Sequence, residues 1–160
     1  MIDRLNSLLP LLAALCLVSL AGAVEVREVL LRPMTEGEFK RIPEYFTGEE
    51  FTGGRTILRS DPQERRGLYF VLRLDTAVRK LPAESSVRLH YITPEQPDIQ
   101  TTVLPLPQAR APGREVFFGL TGDDWPDLDE RPVVWQIQVP DANAELLASR
   151  ESYLWSRADD

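Results

Sequence analysis

Apolar and polar residues alternate along most of the chain after residue 23, and turns rich in Pro, Gly and Asp separate the alternating runs. The clearest run is residues 68–75, in which every second residue from Leu68 onwards is apolar. A period of two is typical of a strand with one face in the core. We therefore predict a strand here, and we expect it to pair with the next alternating run, residues 87–93.

Six further runs complete the pattern: residues 24–31, 55–59, 99–106, 116–120, 133–139 and 145–155. Gly119 lies inside one run and indicates a β-bulge. The last two runs predict a terminal hairpin, with Asn143 available for a left-handed turn conformation. About seven to eight short strands predict an all-β fold, an antiparallel β-sandwich of the immunoglobulin or fibronectin type III kind. An up-and-down barrel or a jelly roll would show similar alternation.

One long segment, residues 32–54, has no clear periodicity. Long connections of this kind are often functional loops. We interpret it as a long irregular loop, with the alternative of a short helix over residues 36–41 followed by an irregular connection.

The N-terminus predicts export. An apolar run over residues 8–20 precedes Ala21-Gly22-Ala23, which fits the small-residue cleavage rule of secretory signal peptides. We expect a signal peptide over residues 1–23, a single domain over residues 24–160, and a periplasmic or secreted location. The alternative is an uncleaved anchor, because an apolar stretch of about 17 residues is at the lower limit for crossing a bilayer.

Composition excludes several function classes. Cys16 is the only cysteine and lies in the signal segment, so the domain is expected to contain neither a disulfide nor a thiolate metal site. The net charge of −7 argues against nucleic acid or an anionic membrane as a partner, and we expect no membrane insertion after cleavage. His90 is the only histidine and falls on the outward phase of its strand, which disfavours a Ser-His triad or a multi-histidine zinc site. We expect no cofactor.

The most distinctive segment is "TGDDWPDLDERP", residues 121–132, with five carboxylates in one short loop. Hard cations such as calcium take carboxylate oxygens. The calcium candidates are Asp123, Asp124, Asp127 and Asp129, with Glu130 beside them. The loop lacks the ligand order of an EF-hand, and Asp-rich, Pro-broken segments are typical of solvated turns. We therefore expect no metal site here.

Aromatic residues offer a second kind of site. Trp125 either presents its indole as an anchor for a protein or a sugar, or folds back over the end of the core. Trp125, Asp124 and Asp127 are therefore the candidate partner-binding residues. The aromatic residues on strands predict cross-strand packing, although a flat aromatic sheet face would bind carbohydrate or peptide. They are Tyr69, Tyr91, Trp135, Tyr153 and Trp155.

Together these patterns predict an exported, non-catalytic β-sandwich that binds or assembles with another envelope or extracellular protein. One alternative is a carbohydrate-binding module. Another is a small glycan-active hydrolase, since such enzymes need two carboxylates held across a cleft. The pairs available for that chemistry are Asp124 with Asp127 and Glu49 with Glu50.

Overall fold

The computed structural model describes residues 23–109 and 111–157, so the predicted signal peptide lies outside them except for Ala23. Two short α-helices and eight strands are present in this part of the chain. In chain order they are β1 (Val26–Met34), α1 (Glu36–Phe39), α2 (Ile42–Thr47), β2 (Thr56–Arg59), β3 (Gly67–Leu74), β4 (Ser86–Ile92), β5 (Gln100–Pro105), β6 (Glu115–Thr121), β7 (Val134–Pro140) and β8 (Leu146–Glu151). Short 3-10 helices lie between β3 and β4 (Val78–Lys80), between β6 and β7 (Gly122–Asp124) and after β8 (Trp155–Arg157).

The strands form two four-stranded sheets that pack face to face. Sheet A has the order β1-β3-β6-β2 and sheet B the order β5-β4-β7-β8. Neighbours are antiparallel except β2 and β6, which are parallel. The prediction of an antiparallel β-sandwich with eight strands is confirmed, and its immunoglobulin or fibronectin subtype stays a prediction.

The expected pairing of residues 68–75 with residues 87–93 is wrong. β3 pairs with β1 and β6, whereas β4 belongs to the other sheet and pairs with β5 and β7. Residues 75–85 between them are too many for a tight hairpin, and they cross from one sheet to the other. Alternation shows which face of a strand is apolar, but it does not tell whether that face packs beside or across from its neighbour.

The main core lies between the sheets. Phe70, Leu89, Phe118 and Ile137 are completely buried there, and the rings of Phe70 and Trp135 meet edge to face at 5.8 Å. These are the inward phases that the alternation predicts.

A second, smaller core covers the outer face of sheet A. Phe39 of α1 lies on Tyr69 of β3, with ring centroids 4.8 Å apart, and both side chains are buried. Gly119 leaves space for the Tyr69 ring and stays in register with it, so the expected β-bulge at this glycine is wrong. Sequence periodicity misses this layer because the segment that supplies it is too short to show a period.

The segment predicted as irregular, residues 32–54, contains both helices. Residues 32–34 extend β1, and α1 confirms the predicted short helix but ends two residues earlier, at Phe39. The backbone N–H of Thr35 donates to the Glu38 carboxylate at 2.7 Å, which stabilises the start of α1. In the terminal hairpin β7–β8, the residue with a left-handed conformation is Ala144 (φ 62°), and the expectation for Asn143 is wrong.

Strand directions define two ends of the sandwich. Met34 at the end of β1 and Thr121 at the end of β6 both lie beside Gly67 at the start of β3. In sheet B, Tyr91 near the end of β4 contacts Trp125, which follows β6. We call this the distal end, and its loops are residues 35–50, 60–66, 93–99 and 122–133. The C-terminal residues 152–157 also lie there, because β8 ends beside the start of β7.

The chain enters the sandwich at the opposite, proximal end. Val26 pairs with Leu74, and Glu25 and Asp75 exchange hydrogen bonds of 3.0 Å. Among the described residues, no helix has the length and apolar character needed to cross a membrane.

Candidate functional site

The acidic loop, residues 122–131, is held at the distal end by local and long-range hydrogen bonds. A carboxylate oxygen of Asp127 accepts from the backbone N–H of Asp129 at 2.8 Å, which makes an Asx turn. Arg66 donates to the carbonyl of Pro126 at 2.9 Å, which ties the loop to the residues before β3. The loop is therefore a fixed, solvent-facing turn.

Trp125 does not present its indole to solvent. It is 2% exposed, and its ring lies 6.0 Å from that of Tyr91 in the main core. The expectation of an exposed anchor is therefore wrong for this residue, and the alternative, that it covers the end of the core, is the one observed. The open end between the two sheets needs an apolar cover, and Trp125 is the large apolar residue next to it.

The calcium candidates do not converge. Within residues 23–109 and 111–157, no group of three or more Asp, Glu, His or Cys side chains is placed to hold a metal ion. Asp123, Asp124 and Glu130 line a shallow pocket of about 170 Å³ beside Tyr91, and Asp127 lies outside it. Burial raises the pKa of the Tyr91 hydroxyl, and the nearby Asp124 carboxylate raises it further.

The two proposed catalytic pairs differ in their surroundings. Asp124 and Asp127 do not share this pocket. Glu50 makes a bidentate ion pair with Arg59, with N–O distances of 2.6 and 2.7 Å, whereas Glu49 is exposed. A carboxylate held in this way is a poor general acid or nucleophile, because its charge is already stabilised by the guanidinium.

The structure reveals a surface that the sequence did not indicate. Ile42, Tyr45 and Phe46 of α2 are 75%, 77% and 85% exposed, and only Glu44 of this helix is partly covered. Their spacing of three and four residues puts them on one side of the helix. Three apolar residues in six were too few to stand out inside an otherwise irregular segment. We call these three side chains the α2 patch.

Ion pairs hold the backbone under this patch. Glu44 pairs with Arg65 at 2.7 Å, and the Glu50–Arg59 pair secures the residues that follow the helix. Arg59 also donates to the Tyr69 hydroxyl at 2.9 Å and covers the Phe39 ring. The hydrogen bond from Arg59 lowers the pKa of Glu50. The exposed side chains therefore project from a firmly attached support.

The α2 patch and the acidic loop are neighbours. Arg65 binds Glu44 of α2, and the next residue, Arg66, binds the acidic loop at Pro126. A single pair of consecutive arginines thus links the two features across the distal end.

The charge of the protein is concentrated at this end. The distal loops contain fourteen carboxylates and five Lys or Arg residues, a formal charge of −9, whereas the whole chain has −7. The rest of the chain is therefore slightly positive, at +2. None of the five carboxylates in the acidic loop forms an ion pair within the described residues.

The outer face of sheet B places His90 among polar neighbours. Its Nδ1 lies 2.7 Å from the Thr101 hydroxyl, and its ring stacks on Trp155 at 6.1 Å. Burial, together with the positive charge of Arg88, lowers the pKa of His90. Trp155 thus packs on a strand residue as expected. Tyr153 is exposed, so the expected cross-strand packing is wrong for this residue, which lies beyond the end of β8.

A comparison with protein-family models, curated proteins and solved structures finds no match for this chain. The distal end itself combines an exposed apolar helix face with a fixed, acidic loop beside it.

Proposed function

We propose that this protein is an exported, non-catalytic β-sandwich that binds another protein through its distal end. The α2 patch carries the proposal. A helix of six residues is not stable on its own and normally gains stability by burying its apolar side. Here that side faces solvent, and exposed apolar clusters of this kind mark interaction surfaces. Aromatic side chains such as Tyr45 and Phe46 are common anchors in protein interfaces.

Charge favours a protein over a lipid surface or a second copy. Cytoplasmic and bacterial membrane surfaces are commonly anionic and would repel an end whose four loops carry a formal charge of −9. A second copy that met the patch with its own distal end would bring the same charge. A protein whose surface is apolar and not acidic meets neither repulsion.

The position of the patch suits such a role. The chain enters at the proximal end, and the nine residues of β1 then cover about 30 Å towards the distal end. A partner at the distal end is therefore unhindered by anything attached before Val26, including the anchor that an uncleaved N-terminal segment would form.

The alternatives have less support. A carbohydrate-binding module needs an accessible aromatic platform, but Trp125 is buried and cannot supply one in the acidic loop. A hydrolase needs two free carboxylates across a cleft. Of the two pairs considered for it, Glu50 is occupied by Arg59, and Asp127 lies outside the pocket that Asp124 lines.

Site-specific photocrosslinking in the cells of origin tests the proposal. A benzophenone side chain replaces Phe46 of the patch or, as a matched control, Val103, which is half exposed on the outer face of sheet B. We expect an adduct with one other protein, identified by mass spectrometry, from position 46 only, and its loss when Tyr45→Ala is added. Equal adducts from both positions, or an adduct of the chain with itself, would contradict the proposal.

A further inference from the structure

We infer that the partner segment is cationic and amphipathic, with apolar side chains for the α2 patch flanked by Lys or Arg for the acidic loops around it. The inference rests on the proposed function and adds the chemistry of the partner. Two independent features of the distal end support it, one apolar and one electrostatic.

The apolar feature is a shaped surface. Beside α2 lies a concavity of about 240 Å³, lined by Lys40, Glu44, Tyr45 and Gly48. Gly48 ends the helix in a left-handed conformation, and a Cβ built on it meets no atom within 4 Å, so this side of the concavity is open. A space of this size accepts an apolar side chain from a partner, while Phe46 packs against the rest of the segment.

The electrostatic feature is an excess of unneutralised carboxylates around that surface. Four of the five basic residues of the distal loops are already used within the protein. Lys40 pairs with Glu36, Arg65 with Glu44, Arg66 binds Pro126, and Arg131 binds the Leu128 carbonyl. The remaining negative charge attracts a cationic partner from a distance and disfavours an acidic one.

Two probe peptides separate the apolar from the electrostatic contribution. Both are amphipathic helices of about 15 residues with the same Leu positions, and they carry either Lys or Glu on the polar side. Their dissociation constants are measured by fluorescence anisotropy, at about 50 mM salt to limit screening, with the chain from Val24, which contains every strand of both sheets. We expect the Lys peptide to bind at least about tenfold more tightly than the Glu peptide.

Matched variants locate the effect. Asp123→Asn with Asp129→Asn removes two charges from the distal end, and Glu84→Gln with Glu145→Gln removes two from the proximal end; all four residues are exposed. The distal pair should weaken binding of the Lys peptide at least about threefold, and the proximal pair should leave it nearly unchanged. Equal effects of the two pairs would overturn the inference, because only net charge would then matter.

The apolar contact has its own readout. Phe46→Ala should weaken binding of both peptides. If the two peptides bind equally well and Phe46→Ala weakens both, the inference about charge fails while the proposed function survives. If Phe46→Ala changes neither affinity, the proposed function itself fails and the inference with it.

Discussion

Trp125 closes the distal end of the main core against Tyr91, although the nearest carboxylates before and after it in the sequence, Asp124 and Asp127, are exposed. Removing a buried aromatic side chain leaves a cavity, so Trp125→Ala should lower the free energy of unfolding by about 3 to 5 kcal/mol. Asp123, an exposed residue two positions before it, supplies the control: Asp123→Asn should cost less than about 0.5 kcal/mol. Urea denaturation measures both. A small cost for Trp125→Ala would mean that the indole is not part of the core in solution.

Gly119 and Gly37 make a second contrast between single residues. A Cβ on Gly119 would lie 2.5 Å from the Tyr69 ring, whose hydroxyl is held by Arg59 and the Arg65 carbonyl. Gly119→Ala should therefore cost about 1 to 3 kcal/mol. Gly37 of α1 has open space around it, so Gly37→Ala should be neutral or stabilise by up to about 1 kcal/mol. Thermal unfolding tests both variants. A melting temperature that falls for Gly119→Ala and stays constant or rises for Gly37→Ala would bear this out, and equal melting temperatures would not.

At the scale of single residues, the distance along the chain between contacting residues decides which environments the sequence predicts. The inward phases of Phe70 and Ile137 follow from neighbours two residues away, and they were predicted correctly. The surroundings of Trp125 and Gly119 depend on residues far along the chain. The sequence therefore leaves open whether Trp125 covers the core, and its prediction of a β-bulge at Gly119, which makes space for Tyr69, is wrong.

At the scale of elements, the two central strands of sheet A, β3 and β6, are buried on both faces over most of their length. Phe118 points into the main core and its neighbour Phe117 into the second core under α1, and both are buried. Truncating either to Ala should cost about 3 to 5 kcal/mol. On the outer face of sheet B, Val103→Ala should cost less than about 0.5 kcal/mol, because that residue is half exposed. Chemical denaturation that finds Phe117→Ala as mild as Val103→Ala would contradict the second core.

The eight strands were predictable because each shows a period of two. α1 and α2 are too short to show a helical period, and α1 was expected only as the alternative to an irregular loop. The strand partners were less predictable, since alternation does not report which sheet a strand joins. The α2 patch is missed for a different reason: three apolar residues in a six-residue helix are too few to stand out, and in any longer helix Ile42, Tyr45 and Phe46 would be interpreted as core residues. Only the position of Arg65 in space, where it pairs with Glu44, shows that the helix is attached by its charged side.

The Glu50–Arg59 ion pair, which secures the residues after α2, stabilises the fold to an extent that depends on pH. Arg59 lowers the pKa of Glu50 below its ordinary value of 4.5, so the folded state favours the ionised form. The stabilisation is then fully present above pH 4.5 and is lost as the pH falls through the lowered pKa. Glu50→Gln should cost about 1 to 3 kcal/mol at neutral pH.

Glu49→Gln is the control for that change, because Glu49 is adjacent and exposed. It should have almost no effect on stability at any pH. Denaturation curves across the acid range should show the difference between the wild type and Glu50→Gln shrinking below pH 4.5. A difference that stayed constant with pH would mean that the ion pair is not its source.

At the scale of the whole molecule, the two ends of the sandwich differ in charge and in apolar exposure. The sequence records the net charge of −7, but the concentration of −9 in four loops appears only once the strand directions are known. Those loops lie far apart along the chain, and the topology gathers them at one end. The candidate site is therefore a product of topology, and the acidic loop was the part of it that the sequence alone could indicate.

The proximal end supports a prediction about the start of the folded chain. Glu25 and Asp75 exchange hydrogen bonds, and Val26 is buried in the main core, whereas Ala23 is exposed. A chain that starts at Val24, as predicted for the mature protein, should keep every contact of the sandwich. A chain that starts at Glu28 loses the burial of Val26, worth about 1.5 to 3 kcal/mol, and the hydrogen bonds of Glu25 as well.

Denaturation of the two truncated chains measures this difference, and N-terminal sequencing of the protein from its own cells shows which start is used. We expect the natural N-terminus at Val24 and a clear loss of stability for the chain that starts at Glu28. A natural start beyond Val26 would mean that β1 is trimmed in the mature protein. It would contradict the prediction, since the first residues of β1 contribute to the main core. Retention of Met1 in the membrane fraction would instead identify the N-terminal segment as an anchor, with the distal end still free to meet a partner.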